Sequence, residues 1–480
     1  MSNTDLFDIA EELITGKKYS EAVSELEKVT AEHLTYEETR ALTSLFARIP
    51  EEYRAASAPH CLQELELAAM SGNQSSVEKW YGRMIALREK YKDGTQARTV
   101  LEDYICMANI VRPGSDNARL LLMMAVLYHE GAGTKAHAVL SPTARMPSVL
   151  RGRKDLSDWS QTYGAVTSIL SPIISALFGT AGNGLTDCFR AEVLLERGNL
   201  SAAADAIAGA LSASDPDIYF AGHAILTRIK SRQPGGQSPD TVLDSIGTMI
   251  EERGAYWLVP NYNALRAQFS LLSDGKYARE WFETDAPDEL SGIAPCDYFR
   301  AMTKAKLYLA FGRTNDALML AQMLIALVAS SDSRPLNTAD CLAMEAVACH
   351  LGGNDDEAAE KLEKALELTE IYGYVNLYTA YGAPMAELLA SYIQRCPDGG
   401  SRRYAEKILA ATEVYAKLYP ALLSDEPAAP EQPAELPHEE RAGEPDAQPA
   451  EEKSAEPDAQ PTEEKAAKAP EKKPKPKKKK

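Results

Sequence analysis

The stretch SVLRGRKDLSDWSQTYG, residues 148–164, holds the densest group of side chains able to grip a ligand. Arg151, Arg153 and Lys154 supply N–H donors in a chain of net charge −19, and Trp159 and Tyr163 supply flat contact surfaces. Guanidinium and ammonium groups pair with carboxylates and phosphates, and Arg and aromatic residues anchor interfaces. The cluster therefore suits an anionic ligand or a peptide. The competing interpretation is a loop that packs one helical unit on the next with its charges in water, and the residues alone favour that.

Other stretches carry less chemistry. GTAGNGLT (179–186) is glycine-rich and precedes a helix, as phosphate-cradling loops do. It has no following Lys and no preceding strand, so it is expected to be an inter-helix loop. Cys341 and Cys349 are eight residues apart, two turns along one helical face, with His350 beside them. Zinc ligands come as close pairs, so these are expected to be buried thiols. The seven histidines form no HExxH or related spacing, and no nucleophile sits in a recognisable local frame. No catalytic residue, metal ligand or cofactor is assigned, and an enzyme is not expected.

What positions such side chains is a recurring phrase: a helix end, Gly, a short polar turn, then Ala inside the next helix. It reads ELITGKKYSEAVSEL at 12–26, LLERGNLSAAADAIAGAL at 194–211, LYLAFGRTNDALMLAQML at 307–324 and ACHLGGNDDEAAEKLEKAL at 348–366. Weaker copies lie at 68–84, 126–140 and 270–282. Gly16, Gly198, Gly275, Gly312 and Gly353 mark the turns, where glycine permits the positive φ that ends a helix. Asn, Asp or Ser next caps the following helix, and Asn354 with Glu357 has capping-box spacing. Glu357–Lys361 and Glu360–Lys364 are spaced to pair on the exposed face, at roughly 0.2–0.5 kcal/mol each. A single hairpin cannot bury its apolar stripe alone, so neighbours must stack into a superhelix.

Composition agrees. Apolar residues make up 45% and aromatics only 7%, with Leu, Ala, Glu and Lys abundant, which favours helix over sheet. The acidic balance argues against a broad nucleic-acid-binding face. No hydrophobic run reaches membrane-spanning length; the best candidate, AVTSILSPIISALFG (165–179), is too short and carries Pro172. The N-terminus lacks the basic-then-apolar order of a signal peptide. Seven scattered cysteines without a CxxC fit reduced thiols, so the chain is expected to be cytoplasmic.

Composition shifts sharply near Ser424. Eleven of the 27 prolines lie in 425–480, and EPDAQP occurs at 444–449 and again at 456–461. Almost nothing large and apolar is there to offset ordering entropy, so 425–480 is expected to be a disordered tail. Residues 425–464 carry 14 acidic and two basic residues, whereas 465–480 carry nine lysines and one glutamate. That lysine end could hold nucleic acid or anionic lipid by charge alone.

The run from AKLYLAFGRTNDALMLAQMLIAL through LGGNDDEAAEKLEKALELTEIYGYVNLYTAYGAPMAELLA resembles the repeat domain of MalT-like regulators of the LuxR family. Gly373-Tyr374-Val375, Tyr378, Gly382-Ala383-Pro384-Met385 and Leu388-Leu389 carry the resemblance. MPSVLRGRKDLSDW (146–159) is similar to a phrase of that domain, and 404–423 looks like the helix that precedes the family's DNA-binding module. Two departures matter: no GxxxxGK[ST] occurs, and the proline-rich tail stands where the helix-turn-helix would begin. The resemblance implies the sensing and interaction portion of such a regulator, without ATP or DNA binding.

The expected protein is all-α: a TPR-like helical-hairpin superhelix of roughly nine to eleven hairpins over 1–424, followed by the tail. Its expected function is binding. A protein or peptide partner comes first, a small-molecule effector second, and nucleic acid through 465–480 last.

Overall fold

A computed structural model describes residues 2–112, 117–129, 143, 145–152, 154–161, 164, 168, 171–175, 181–233, 239–329, 334–395, 399–420 and 422–423. The chain divides into two compact units between Ala429 and Pro430. The second lies wholly outside the described residues, as do the expected tail and its boundary at 424. The described residues contain no strand, only an isolated antiparallel bridge between Arg151 and Asp155. None of their helices is long and apolar enough to cross a membrane.

The helices that build the first unit are α1 (Asn3–Thr15), α2 (Tyr19–Leu26), α3 (Tyr36–Arg48), α4 (Ala58–Met70), α5 (Gln74–Arg88), α6 (Gln96–Val111) and α7 (Asn117–His129). After the segment at 143–175 come α8 (Ala181–Glu196), α9 (Leu200–Ala206), α10 (Pro216–Lys230), α11 (Pro239–Arg253), α12 (Val259–Ser270) and α13 (Lys276–Thr284). The last are α14 (Tyr298–Ala310), α15 (Thr314–Ala329), α16 (Pro335–Leu351), α17 (Asp355–Glu370), α18 (Asn376–Thr379), α19 (Gly382–Arg395) and α20 (Gly400–Leu418). Neighbours in sequence pack as hairpins, from α1 with α2 to α19 with α20, and the first helix of one hairpin packs on the first helix of the next, as α8 does on α10 and α12 on α14.

The turns share one geometry. In four of them a glycine (72, 198, 312 or 353) sits at φ between 71° and 82°. The following N–H then reaches back five residues, as Asn199 does to Leu194 O (2.9 Å) and Asn354 to Cys349 O (2.8 Å), which satisfies carbonyls the helix end leaves open. Five residues after each glycine comes a small side chain with no exposed surface: Val77, Ala203, Ala317 and Ala358. Gly275 turns the same way at φ 67°, and Ala278 follows it into the interior. Gly16 departs from expectation. It has φ −78°, and Lys17 takes the left-handed position at 58°, because the extra residue in GKKYSEA shifts the turn by one.

Three local expectations are corrected. Asn354 does not cap α17 with its side chain; its Nδ2 donates to Glu357 Oε2 at 2.7 Å instead. Lys361 pairs with the buried Glu345 at 2.7 Å rather than with Glu357, since a buried carboxylate outcompetes a solvated one, while Lys364–Glu360 forms as expected at 2.6 Å. Residues 181–186 of GTAGNGLT are the start of α8, not a loop: Cβ-less Gly184 packs against Ile218 of α10, where a methyl group would lie 2.7 Å from Ile218 Cγ2.

α1–α3 close a small core around Leu26, Leu34 and Leu42, while one large core runs from Cys61 to Ile408. The array from α8 onward curls back on itself. Arg197, just after α8, donates to Tyr372 O (3.0 Å). Asn376 of α18 donates through Nδ2 to Leu195 O, and Tyr419 after α20 donates to Ser231 O (2.8 Å) after α10. The first hairpins of the curl thus meet the last, and 145–160 threads between them.

Candidate ligand cavity

Residues 145–152 and 154–160 lie inside the curl because their backbone finds buried acceptors there. Glu192 of α8, with no exposed surface, accepts the N–H groups of Val149 (3.0 Å) and Leu150 (2.9 Å) on Oε2 and the Ser148 hydroxyl (2.7 Å) on Oε1. Asp155 accepts the N–H groups of Ser157 and Leu336, both at 2.9 Å, although burial pushes its carboxyl above the ordinary range. The hydroxyls of Tyr372 and Tyr374 donate to Asp158 and to Ser160 Oγ, each at 2.7 Å. Val149 and Leu150 fill the core between these anchors.

This placement decides the fate of the charged cluster. Arg151 points inward, donating to Asp340 Oδ2 (2.9 Å) with Glu196 Oε1 3.9 Å away. Lys154 is buried too and donates to Arg112 O at 3.4 Å. The expectation of solvated charges is corrected for both, because the apolar neighbours Val149 and Leu150 carry the backbone inside. Trp159 is half-buried against the large core. Arg153 and Tyr163 lie outside the described residues.

Arg151 lines a cavity of about 70 Å³ whose wall is built from successive hairpins: Arg228 from α10, Gln268 from α12, Lys306 from α14 and Asp340 from α16. These four positions are 34 to 40 residues apart, so each turn of the repeat delivers one polar group to the same space. Arg232, Asn376, Tyr381 and Tyr415 complete the polar wall. A second cavity of about 70 Å³ adjoins it, sharing Arg151, Arg228, Gln268, Lys306 and Asp340 and adding Met146, Leu265, Phe299, Met302 and Asn337.

The electrostatics are dense. Arg228 bridges Glu192 (2.7 Å) and Glu196, both without exposed surface. Asp340 takes Arg151 and the Tyr381 hydroxyl (2.7 Å), with Lys306 at 3.5 Å. Burial opposes ionisation of Asp340, yet the charges of Lys306 and Arg151 hold its carboxyl below the ordinary range. Burial pushes the Lys306 ammonium down, with Asp340 countering in part. Burial likewise lowers Arg232. Such an arrangement grips charge, with Glu192, Glu196 and Asp340 each in an ion pair.

Sequence reasoning found Arg151 and missed the rest of the wall. A signal was present: Glu192 and Glu196 are four apart, one turn on α8, and Arg228 sits among apolar residues near the end of α10 with Arg232 four residues on, just past that end. A charge at such a place needs a buried partner, and the partner lies a repeat or more away in sequence.

The thiols are inert in this setting. Cys341 is fully buried beside the Tyr298 hydroxyl (3.4 Å), and burial pushes it up to about 12. His350 faces away from them, toward Asp355 (2.7 Å) and Glu387 (3.5 Å). Among the described residues no three His, Cys, Asp or Glu side chains are grouped to hold a metal.

Residues 181–395 match the family model of the MalT-like TPR region. This stretch is a TPR-like domain of the kind MalT-type regulators carry, and it supplies most of the cavity wall, with Arg151, Tyr415, Leu422 and Leu423 coming from outside it. The chain has no match among curated proteins.

Proposed function

We propose that this chain, through its MalT-like TPR region, is a non-catalytic sensing module that holds a small-molecule effector inside the curl of its own superhelix and reports occupancy to a protein partner. The observation that carries this is the cavity wall itself. Six structural elements converge on one space with charged and amide side chains, whereas a purely structural core would be filled with apolar ones. The same space touches Leu422 and Leu423, which follow α20, so occupancy bears on the chain leading into 424–480. In MalT-type regulators a TPR-like domain belongs to a transcription regulator, and the partner proposed for this chain is a protein of that class. Six of the cysteines are free thiols, which suits work in a reducing compartment such as the cytoplasm.

The test is thermal unfolding of the full-length protein against fractionated metabolites of its source cells. An effector bound at 100 times its dissociation constant adds about 2.7 kcal/mol and raises the melting temperature. If no fraction shifts the transition, while the full chain and a 1–424 truncation capture the same protein, the module is a scaffold and the sensing proposal is wrong.

A further inference from the structure

The cavity's charges do not balance. Four cations face it or its ion pairs: Arg151, Arg228, Arg232 and Lys306. Three carboxylates answer them: Glu192, Glu196 and Asp340. Arg228 is satisfied by the two glutamates, and Arg151 holds Asp340 at the shorter distance. That leaves Lys306 with one long carboxylate contact at 3.5 Å, to an oxygen already taken by Arg151, and the face of the Tyr381 ring 5.5 Å away. Among the described residues Arg232 donates to neutral oxygens, Asn376 Oδ1 (3.2 Å), Arg228 O (3.0 Å) and Thr379 Oγ1 (3.3 Å) among them, and its guanidinium lies 5.1 Å from the Tyr415 ring centre. A largely buried cation that shares its counter-charge or lacks one is costly, and an anion entering the cavity would reduce that cost.

A second observation is independent of charge. Asn337 of α16 has no exposed surface, lines the adjoining cavity, and has neither its amide N–H group nor its carbonyl oxygen paired. Buried amides are nearly always satisfied, so an orphaned one beside open space marks a place for a hydrogen-bonding group. Around it Met146, Leu265, Phe299 and Met302 present apolar surface.

We propose that the paired cavities take a small organic oxyanion, its carboxylate or phosphate head toward Lys306 and Arg232 and a hydroxyl or amide of its body against Asn337. This rests on the sensing reading and narrows it to one ligand class. The head is held by charge-assisted bonds from donors already fixed in place. The body is selected by the Asn337 amide and the apolar wall, and the volume excludes large ligands.

The experiment is calorimetric titration of the full-length protein with three matched sets: hydroxy- and amido-carboxylates, the corresponding phosphate esters, and their neutral amides and alcohols. Inorganic phosphate is the bare-head control. The expected result is binding by one charged set and not by the neutral one. Lys306→Met should weaken it by about tenfold or more without lowering the melting temperature, since it removes an uncompensated cation. Asn337→Ala should weaken the substituted anions but leave inorganic phosphate unchanged. Binding of the neutral set alone overturns the anion proposal and leaves sensing intact. Binding by no set, with Lys306→Met lowering the melting temperature, shows the cations to be a structural network and overturns it as well; sensing itself falls only if the metabolite fractions also fail.

Discussion

Replacing Glu192 with Ala should free the threaded segment. The substitution removes the carboxylate that, among the described residues, accepts the Val149 and Leu150 N–H groups and the Ser148 hydroxyl, and one of the two carboxylates on Arg228. Removing one partner of a buried ion pair costs about 3–5 kcal/mol. The Arg228 pair is lost whether the segment is open or closed, so the opening equilibrium shifts by the segment's own hydrogen bonds to the carboxylate, and two of these at about 1.5 kcal/mol each give about 3 kcal/mol. At 1.4 kcal/mol per factor of ten, that is about a hundredfold faster amide exchange at Val149 and Leu150 if the segment opens locally. Hydrogen-exchange mass spectrometry on peptides covering 146–156 reads it directly, with α1–α2 peptides as the reference for global stability. Glu192→Gln should fall between, because its carbonyl can serve one set of donors while its NH2 meets the other. Unchanged protection at 146–156 in a folded Glu192→Ala protein would refute the reasoning, since apolar packing of Val149 and Leu150 alone would then hold the segment.

Three further outcomes are expected. Gly312→Ala should cost about 1–2 kcal/mol in urea unfolding from backbone strain alone, since no atom lies within 4 Å of the added Cβ; Gly182→Ala should cost more, its Cβ falling 2.6 Å from the Ile174 carbonyl oxygen. Glu66 is buried and its pKa is raised well above 4.5 by burial, with Arg145 only partly opposing, so the folded state holds a proton the unfolded state has lost. The contribution of Glu66 to stability is therefore fully present below the ordinary carboxylate range and is lost as pH rises from there through the folded value; in chemical denaturation against pH, the difference between the wild type and Glu66→Gln should follow that loss. Trp281 is buried with its indole N–H unpaired, so Trp281→Phe should cost less than about 1.5 kcal/mol, against about 3–5 kcal/mol for Trp281→Ala; equal losses by differential scanning calorimetry would show the N–H to be bonded in solution.

The turns show why so much of the hairpin array was legible. A glycine at the left-handed position and a small residue five places later are local requirements of one helical hairpin, and both lie within a single short window of sequence. Gly198, Gly312 and Gly353 therefore sit as expected, while Gly16 does not, because one inserted residue lets Lys17 take the strained position. Cap chemistry was less legible. Asn354 has two possible partners within hydrogen-bond reach, the helix N–H groups and the Glu357 carboxylate, and spacing alone cannot rank them. Lys361 had the same ambiguity, resolved by the buried Glu345 on the neighbouring helix. In the cavity, Arg151 stood out because basic residues cluster around it in sequence; Lys306 and Asp340 did not, since nothing local separates Lys306 from Arg300 and Lys304, or Asp340 from Glu345, on the same helices.

The sequence by itself determined that this chain is helical, that its helices pair through glycine turns, and that residues 181–395 follow the MalT-like pattern, because each is set by neighbours a few residues apart. Only the tertiary structure decided that 145–160 runs inside the curl rather than over its surface, and that Arg151, Arg228, Lys306 and Asp340 share one space. The reason is curvature. Small rotations between stacked hairpins accumulate until the first meets the last, and no local pattern encodes which charges that closure brings together.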